Sequence, residues 1–372
     1  MMKALTLGSA MIDTIAIIES DRIERMSMLN ADASYLLLQE GSKTEAAEIS
    51  THCGGGAVNT AVALARLGLD VTTIAKLGRD ARAETIMAGL IGEGVSTRWV
   101  SRDPRAPTGA SVLVSSHDRN AAVFTFRGAN TLLEERDLRD EAFAVDLVYI
   151  TSLSNQSAEC FPSIIAKAKA AGAMVCVNPG PRQLASRGAA FECCLADVDV
   201  LSINRAEAAV LMPSLISRFG EGGPELPGPD LPRLAVRGLA GSGFVMSLAR
   251  FMSAVLSLGP GHVLLTDGMA GAYLSHDRRL YHVPSVEVEV AGTAGAGDAF
   301  SATFAAYVAR GAGVEDALRA ATLNGASVVA HIDTQTGLLR QDEIDKAMHS
   351  RGRQVAVRSW DLQDAEPLPA VR

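Results

Sequence analysis

Apolar and polar positions alternate along this chain in two rhythms, and the change from one to the other marks out its elements. Short runs rich in Val, Ile and Leu predict strands over 145–151, 173–178 and 198–203. Amphipathic stretches between and after them predict helices over 157–171, near 191–196 and over 205–212. Strands that are apolar on both faces and alternate with helices belong to a parallel sheet covered on each side. The first third begins in the same way, with a buried strand over 3–9, a turn at Gly8 and a second β segment over 12–18. Gly54, Gly55 and Gly56 then open a helix over 57–67, closed by Gly68 and followed by a strand over 71–76 and a helix over 81–91.

Two β-rich runs, 108–115 and 121–126, flank turn residues 117–120 and predict a hairpin. With 12–18 it makes a small sheet apart from the main one. Between the two regions the pattern breaks up: residues 19–50 carry charges, Ser34-Tyr35 and the leucine run Leu36 to Leu38, and read as a lid, a subunit contact or a plain surface excursion. Residues 214–243 break it again, because the Gly- and Pro-rich stretch 220–232 holds neither helix nor sheet, and a mobile insertion is expected. A helix over 244–258, a strand over 262–266, short strands near 272–274 and 280–290, and helices over 298–310 and 314–331 follow. A loosely held tail is expected after Arg351.

Composition narrows the partners. The chain has 372 residues, 48% of them hydrophobic, enough for one large α/β domain with appendages. A formal charge of −8 without a long Lys/Arg run argues against nucleic acid or an anionic membrane and for a small molecule. Five cysteines without C-x-x-C spacing, and seven histidines without a zinc-type pair, fit free thiols in a reducing cytoplasm. The apolar start carries Asp13 and is not read as a signal peptide, and the later apolar stretch 244–258 is too short to span a bilayer.

The candidate chemistry lies at Gly292-Thr-Ala-Gly-Ala-Gly-Asp298, where an alternating strand runs into a glycine-rich turn and an apolar-striped helix begins. Bare backbone N–H groups and a positive helix end converge there beside a carboxylate, which suits an anion next to a base. Three readings compete. Asp298 is a helix cap; or the turn is a dinucleotide loop, against which Phe300 stands at the third glycine position; or it is a phosphoryl-transfer anion hole with Asp298 as base. No Walker lysine motif occurs in the chain to compete with the last.

This turn resembles the second signature of the ribokinase-like (PfkB) family of sugar and nucleoside kinases, and further marks of that family follow the same order over roughly residues 3 to 335. Gly54-Gly-Gly-Ala-Val-Asn59 resembles the first glycine-rich motif, Asn204-Arg-Ala-Glu207 the N-x-x-E motif, and Thr266-Asp-Gly-Met-Ala-Gly271 the nucleotide loop. The resemblance implies a three-layer αβα sandwich with a mostly parallel central sheet and a β-sheet lid. Its kinase domain would cover 1–350, with lid segments near 12–50 and 106–128, the insertion near 214–243 and a tail over 351–372.

It also implies roles. Asp13, Gly54, Gly55, Asn59 and Asn130 would hold the acceptor; Asn204, Glu207, Thr266, Gly268, Gly271 and Asn324 the nucleotide. Asn204 and Glu207 would also organise Mg²⁺ through water. Gly295, Ala296 and Gly297 would form the anion hole, with Asp298 taking the hydroxyl proton. The expected activity is ATP-dependent phosphorylation of a primary hydroxyl of a sugar; the alternatives are a nucleoside 5′-hydroxyl, with Tyr35, Phe124 and Phe126 covering the base, and a non-catalytic sugar-binding regulator. Relatives pair through the lid, so a homodimer is expected. Gly292 stands where the family has an Asp that helps bind an activating monovalent cation, which puts potassium activation in question.

Overall fold

The computed structural model describes residues 1–19, 24–27, 34–37, 41, 43–116, 121–241 and 243–364. Its centre is a nine-stranded sheet. From one edge the order is Asp70–Ile74, Lys3–Leu7, Leu147–Ile150, Met174–Val177, Val200–Asn204 and His262–Thr266, all parallel. Ala272–His276, Arg279–Val283 and Arg358–Asp361 then extend it antiparallel to the other edge.

Residues of one strand alternate between two cores. Leu5, Leu7, Val148, Ile150, Val175 and Val177 pack under the helices Phe161–Ala170, Pro181–Cys193, Arg205–Phe219 and Leu248–Ser257. Ala4, Val71, Leu147, Tyr149, Cys176 and Val200 face the helices Gly56–Arg66, Ala81–Gly92, Ala296–Ala309 and Val314–Val329. This is the predicted three-layer α/β sandwich, and it aims the carboxyl ends of the parallel strands at one rim, where ligands of such sheets bind.

A four-stranded sheet stands over that rim, in the order Ala121–Phe126, Gly109–Ser116, Met11–Ile18, Glu48–Gly54. Three of its strands match the expected small sheet. The fourth, Glu48–Gly54, is additional; it pairs antiparallel with Met11–Ile18 and sets His52 opposite Asp13. The turn at 117–120 and Leu38 lie outside the described residues. Ser34–Leu37 forms a short pair with Glu24–Ser27.

Several expectations need correction. The 205–212 helix continues to Phe219 through Pro213. Pro213 removes the bond to the Ala209 carbonyl, and Gly241 packs against that residue, 3.1 Å separating its ideal Cβ from Ala209 O. The predicted helix over 244–258 begins only at Leu248, after the Ser247 cap, because Phe244–Met246 pairs with Leu239–Gly241 as a hairpin. The 214–243 segment is therefore largely structured, with a short helix at Arg233–Arg237. The tail is not loose as far as residue 364, since Arg358–Asp361 is the edge strand of the main sheet.

Finally, residues 284–295 form no strand before the glycine turn. Val286, Val288 and Val290 do alternate inward against outward Glu287 and Glu289, but among the described residues the segment has no ladder partner. Ala291 and Gly292 instead donate to the Val329 carbonyl at 2.8 and 3.2 Å.

Candidate active site

The helix that carries Asp298 starts two residues earlier than the sequence suggests. It runs Ala296–Ala309 with Gly295 as N-cap, in the left-handed conformation at φ 79°. An ideal Cβ on Gly295 would lie 2.6 Å from that of Thr334, so both the backbone angle and the space require glycine. Asp298 is then the third residue of the helix and not its cap. The first intrahelical bond runs from the Ala299 N–H to Gly295 O at 2.9 Å. The N–H groups of Ala296, Gly297 and Asp298 have no partner among the described residues and point out of the positive end. Gly297 is exposed, with no atom within 4 Å of its ideal Cβ.

The Asp298 carboxylate is held from the side. Asn59 Nδ2 donates to its Oδ2 at 2.8 Å. Asn59 Oδ1 in turn accepts from Thr334 Oγ1 at 2.8 Å and from Gln335 Nε2 at 3.2 Å, which fixes which end of the amide faces Asp298. Asn59 is buried in the first turns of Gly56–Arg66, a helix whose first N–H groups are taken up by Ser9 across the crevice, Gly56 N to its Oγ at 3.2 Å and Ala57 N to its O at 3.1 Å. Burial, together with the nearby charge of Asp13, pushes Asp298 up to about 6; the Asn59 bond pulls the other way.

Asp13 sits in the lid strand Met11–Ile18 and accepts a short hydrogen bond from Ser111 Oγ. Burial raises it above the ordinary carboxylate range, against the Ser111 bond and the nearby His52. Gly54 lies against this carboxylate: its ideal Cβ would come 1.8 Å from Asp13 Oδ2, so any side chain there would displace the acid.

On the opposite wall Asn204 and Glu207 form a reciprocal capping box at the start of Arg205–Phe219. Asn204 N donates to Glu207 Oε2 and Glu207 N to Asn204 Oδ1, both at 2.9 Å. Glu207 is 6% exposed, and burial, with the charge of Asp298 adding to it, raises it to about 7. Three carboxyls around one crevice are thus all held above their usual range. The next strand ends at Thr266, beyond which Gly268 and Met269 are exposed in a tight turn closed by Asp267 N to Gly271 O at 2.8 Å. Asp267 pairs with Arg205 at 3.5 Å.

Two expected ligand residues face inward. Asn130 uses both ends of its amide on Ala10, accepting from its N–H and donating to its O at 2.9 Å each. Asn324 is fully buried; it donates to Thr303 Oγ1 at 2.8 Å and accepts from Leu339 N at 2.9 Å. Both amides hold the scaffold. Thr334, Gln335, Ser9 and Ser111 belong to the site without any spacing that marks them; Asp333-Thr-Gln-Thr336 has only the composition of a turn, and Asp333 accepts from Gln335 N and Thr336 N at 2.8 Å.

A carboxylate fixed at an open helix end, a second acid under a lid and a third beyond thus line one crevice. The profile of the pfkB family of carbohydrate kinases matches residues 3–341. The chain belongs to that family and is a phosphotransferase acting on a hydroxyl group. It is 26% identical to the deoxyribokinase of Salmonella typhi over 324 residues, which cover 87% of this chain and 94% of that one. It is 25% identical to the ribokinase of Bacillus subtilis over 298 residues, covering 79% and 87%. The structure of Arabidopsis thaliana ribokinase complexed with ribose and ATP superposes with a TM-score of 0.68 at 21% identity, covering 93% of this chain and 98% of that one. Among the described residues no helix is long and apolar enough to cross a membrane.

Proposed function

We propose that the protein transfers the γ-phosphoryl group of ATP to a primary hydroxyl of a sugar, with Asp298 as general base. The observation that carries this reading is the Asp298 carboxylate, held by Asn59 beside the free N–H groups of Ala296, Gly297 and Asp298. The acceptor hydroxyl lies between Asp298 and the γ-phosphorus, oriented by Asp13 and by backbone around Gly54 and Gly55. As its oxygen bonds to phosphorus, its proton passes to Asp298 and the bond to the ADP oxygen breaks. A loose transition state needs that proton removed only late, so a carboxyl near pH 6 is an adequate base. The helix end stabilises charge developing on the transferred group.

The nucleotide phosphates lie between this helix end and Glu207, with the base near Thr266, Gly268 and Gly271. Glu207 has one oxygen engaged in the capping box, and its raised value reflects burial first, with the charge of Asp298 adding to it. Among the described residues no three His, Cys, Asp or Glu side chains gather as a metal cage. That fits a Mg²⁺ ion that arrives on the nucleotide and is approached by Glu207 and Asn204 through water. When bound it supplies charge neutralisation at the phosphates.

Gly292 supports independence from potassium. An ideal Cβ there would lie 2.9 Å from His331 O and 3.2 Å from Ile332 O, so the position has no room for a carboxylate. The lid presents Val112, Val123, Phe124 and Phe126 to solvent; pairing of two copies through this face is part of the same reading, and light scattering measures it. The decisive experiment is ADP release from ATP and Mg²⁺ with ribose, 2-deoxyribose, fructose, adenosine and inosine as acceptors. Turnover with a sugar is expected. Release with nucleosides alone, or with no acceptor, overturns the reading.

A further inference from the structure

Two buried serines meet beneath the crevice, where the strand Val200–Asn204 lies against the helix Ala296–Ala309. Leu201 and Ile203 of the strand pack into one core and Val200 into the other. Ser202, on the same side as Val200, is 2% exposed, and its Oγ lies 2.6 Å from that of Ser301, which is 3% exposed. From the end of the neighbouring strand, Asn178 Nδ2 donates to Ser202 O at 2.8 Å and fixes its backbone. Among the described residues no hydrogen bond other than the serine pair joins this strand to this helix.

Stability alone does not call for this pair. One bond shared by two buried hydroxyls contributes little net, and two alanines in their place would leave no polar group unsatisfied. What the hydroxyls add is direction: an apolar contact lets a helix slide over a sheet, whereas a short O–H···O bond fixes one register. Both partners stand next to the chemistry. Asp298 lies one turn before Ser301 on the same helix face. Asn204, whose side chain accepts from Glu207 N, comes two residues after Ser202, about 7 Å along the strand. The bond therefore ties the wall that carries Asp298 and the open N–H groups to the wall that carries Glu207. These two acids repel, since the charge of Asp298 adds to burial in raising Glu207, and the bond resists their separation.

We propose that Ser202 and Ser301 are positioning residues for phosphoryl transfer: their bond sets the distance of Asp298 and its helix end from Glu207, and so the width of the space for the nucleotide phosphates. This rests on the kinase reading above and adds to it two residues that touch no substrate. Ground-state binding tolerates a small displacement of one wall. In-line transfer does not, because base, acceptor oxygen and phosphorus must align. The cost of losing the bond therefore falls on kcat and spares KM.

The test uses Ser202→Ala, Ser301→Ala and the double variant, with kcat, KM and the urea midpoint measured on each. Each single variant strands one hydroxyl in the core and loses stability; the double variant removes both and recovers most of it. In all three, kcat is expected to fall roughly 10- to 100-fold, with KM for ATP and acceptor changed by less than about threefold. A pair that only holds the fold predicts the contrary: kcat returns with stability in the double variant, and that result overturns the proposal. A second readout needs no turnover. In ¹³C-labelled protein the Glu207 carboxyl, identified by its loss in Glu207→Gln, is expected to titrate at about 7 in the wild type and lower in the double variant, where the walls relax apart. An unchanged Glu207 titration there also overturns the proposal, whereas absence of ADP from every wild-type mixture counts against phosphoryl transfer and not against the serine pair.

Discussion

Replacing Asp298 by Asn separates what this carboxylate does for catalysis from what it costs the fold. Asn keeps the shape and can still accept the Asn59 bond through its own carbonyl oxygen. It cannot take a proton, so kcat is expected to fall by roughly 10²–10⁴ while ATP affinity stays close to that of the wild type. The fold responds in the opposite direction. Carrying a carboxyl from 3.8 to about 6 means that its ionised form is disfavoured in the native state, by about 3 kcal/mol at 1.36 kcal/mol per decade. Because the native value lies above the unfolded one, the penalty is nearly absent below pH 4, grows as the pH rises through 6 and is complete by pH 8. The variant escapes it. With 372 residues and about 2.1 cal/mol/K of unfolding entropy per residue, 3 kcal/mol corresponds to roughly 4 °C in Tm. Differential scanning calorimetry of both proteins should give that gain at pH 8 and about half of it at pH 5. An inactive variant with no gain at pH 8 would show that Asp298 is not strained as an anion, and near-normal turnover would remove it as the base.

Other consequences can be measured separately. In the absence of bound nucleotide Asp298 and Glu207 are raised to about 6 and about 7, so kcat/KM should climb with pH through that interval and level off above it; activity that is flat from pH 5 to 8 contradicts the base assignment. Equal turnover in potassium and sodium buffers is expected from the collision that any side chain at Gly292 would make with the His331 carbonyl, and severalfold activation by potassium would refute it. Asn324→Leu leaves the Leu339 N–H and the Thr303 hydroxyl without their buried partner; stability by urea titration should drop by about 2–4 kcal/mol, with KM for ATP little changed. Gly54→Ala places a methyl on the Asp13 carboxylate, and acceptor KM should rise at least about tenfold without a comparable change for ATP.

The architecture was legible where burial on both faces writes itself as runs of Val, Ile and Leu, as in Leu147–Ile150 or Val200–Asn204, whose residues are buried except at the final Asn. It was illegible where backbone bonds carry an element without a hydrophobic stripe. Glu48–Gly54 is an edge strand with Ile49 67% exposed, so its side chains show no period. Arg358–Asp361 offers Trp360 alone to the core and is held by its ladder to Arg279–Val283. The alternation at Val286 to Val290 has the reverse fault: inward and outward sides are as predicted, but a period of two says nothing about whether a neighbour is there to pair with.

At the site, spacing located the acids and glycines but not what the amides do. Asp13, Glu207 and Asp298 converge, and Gly54 and Gly295 are glycines for the steric reasons that close approach requires. A buried carboxyl kept without a paired cation has few purposes other than a ligand's. An amide is different, because it satisfies backbone as readily as substrate, and sequence does not distinguish the two. Asn130 and Asn324 turn to the scaffold; Asn59 does both, fixed by Thr334 on one side and holding Asp298 on the other. Even Asn204-x-x-Glu207 carries two meanings, since it is the spacing of a capping box as well as of a phosphate-site motif. The meanings are compatible under the proposed function: the box engages one Glu207 oxygen, so the same bonds that start the helix also hold the acid in place. That coupling predicts that Asn204→Ala costs helix stability and nucleotide-dependent turnover together, whereas Asn324→Leu costs stability alone.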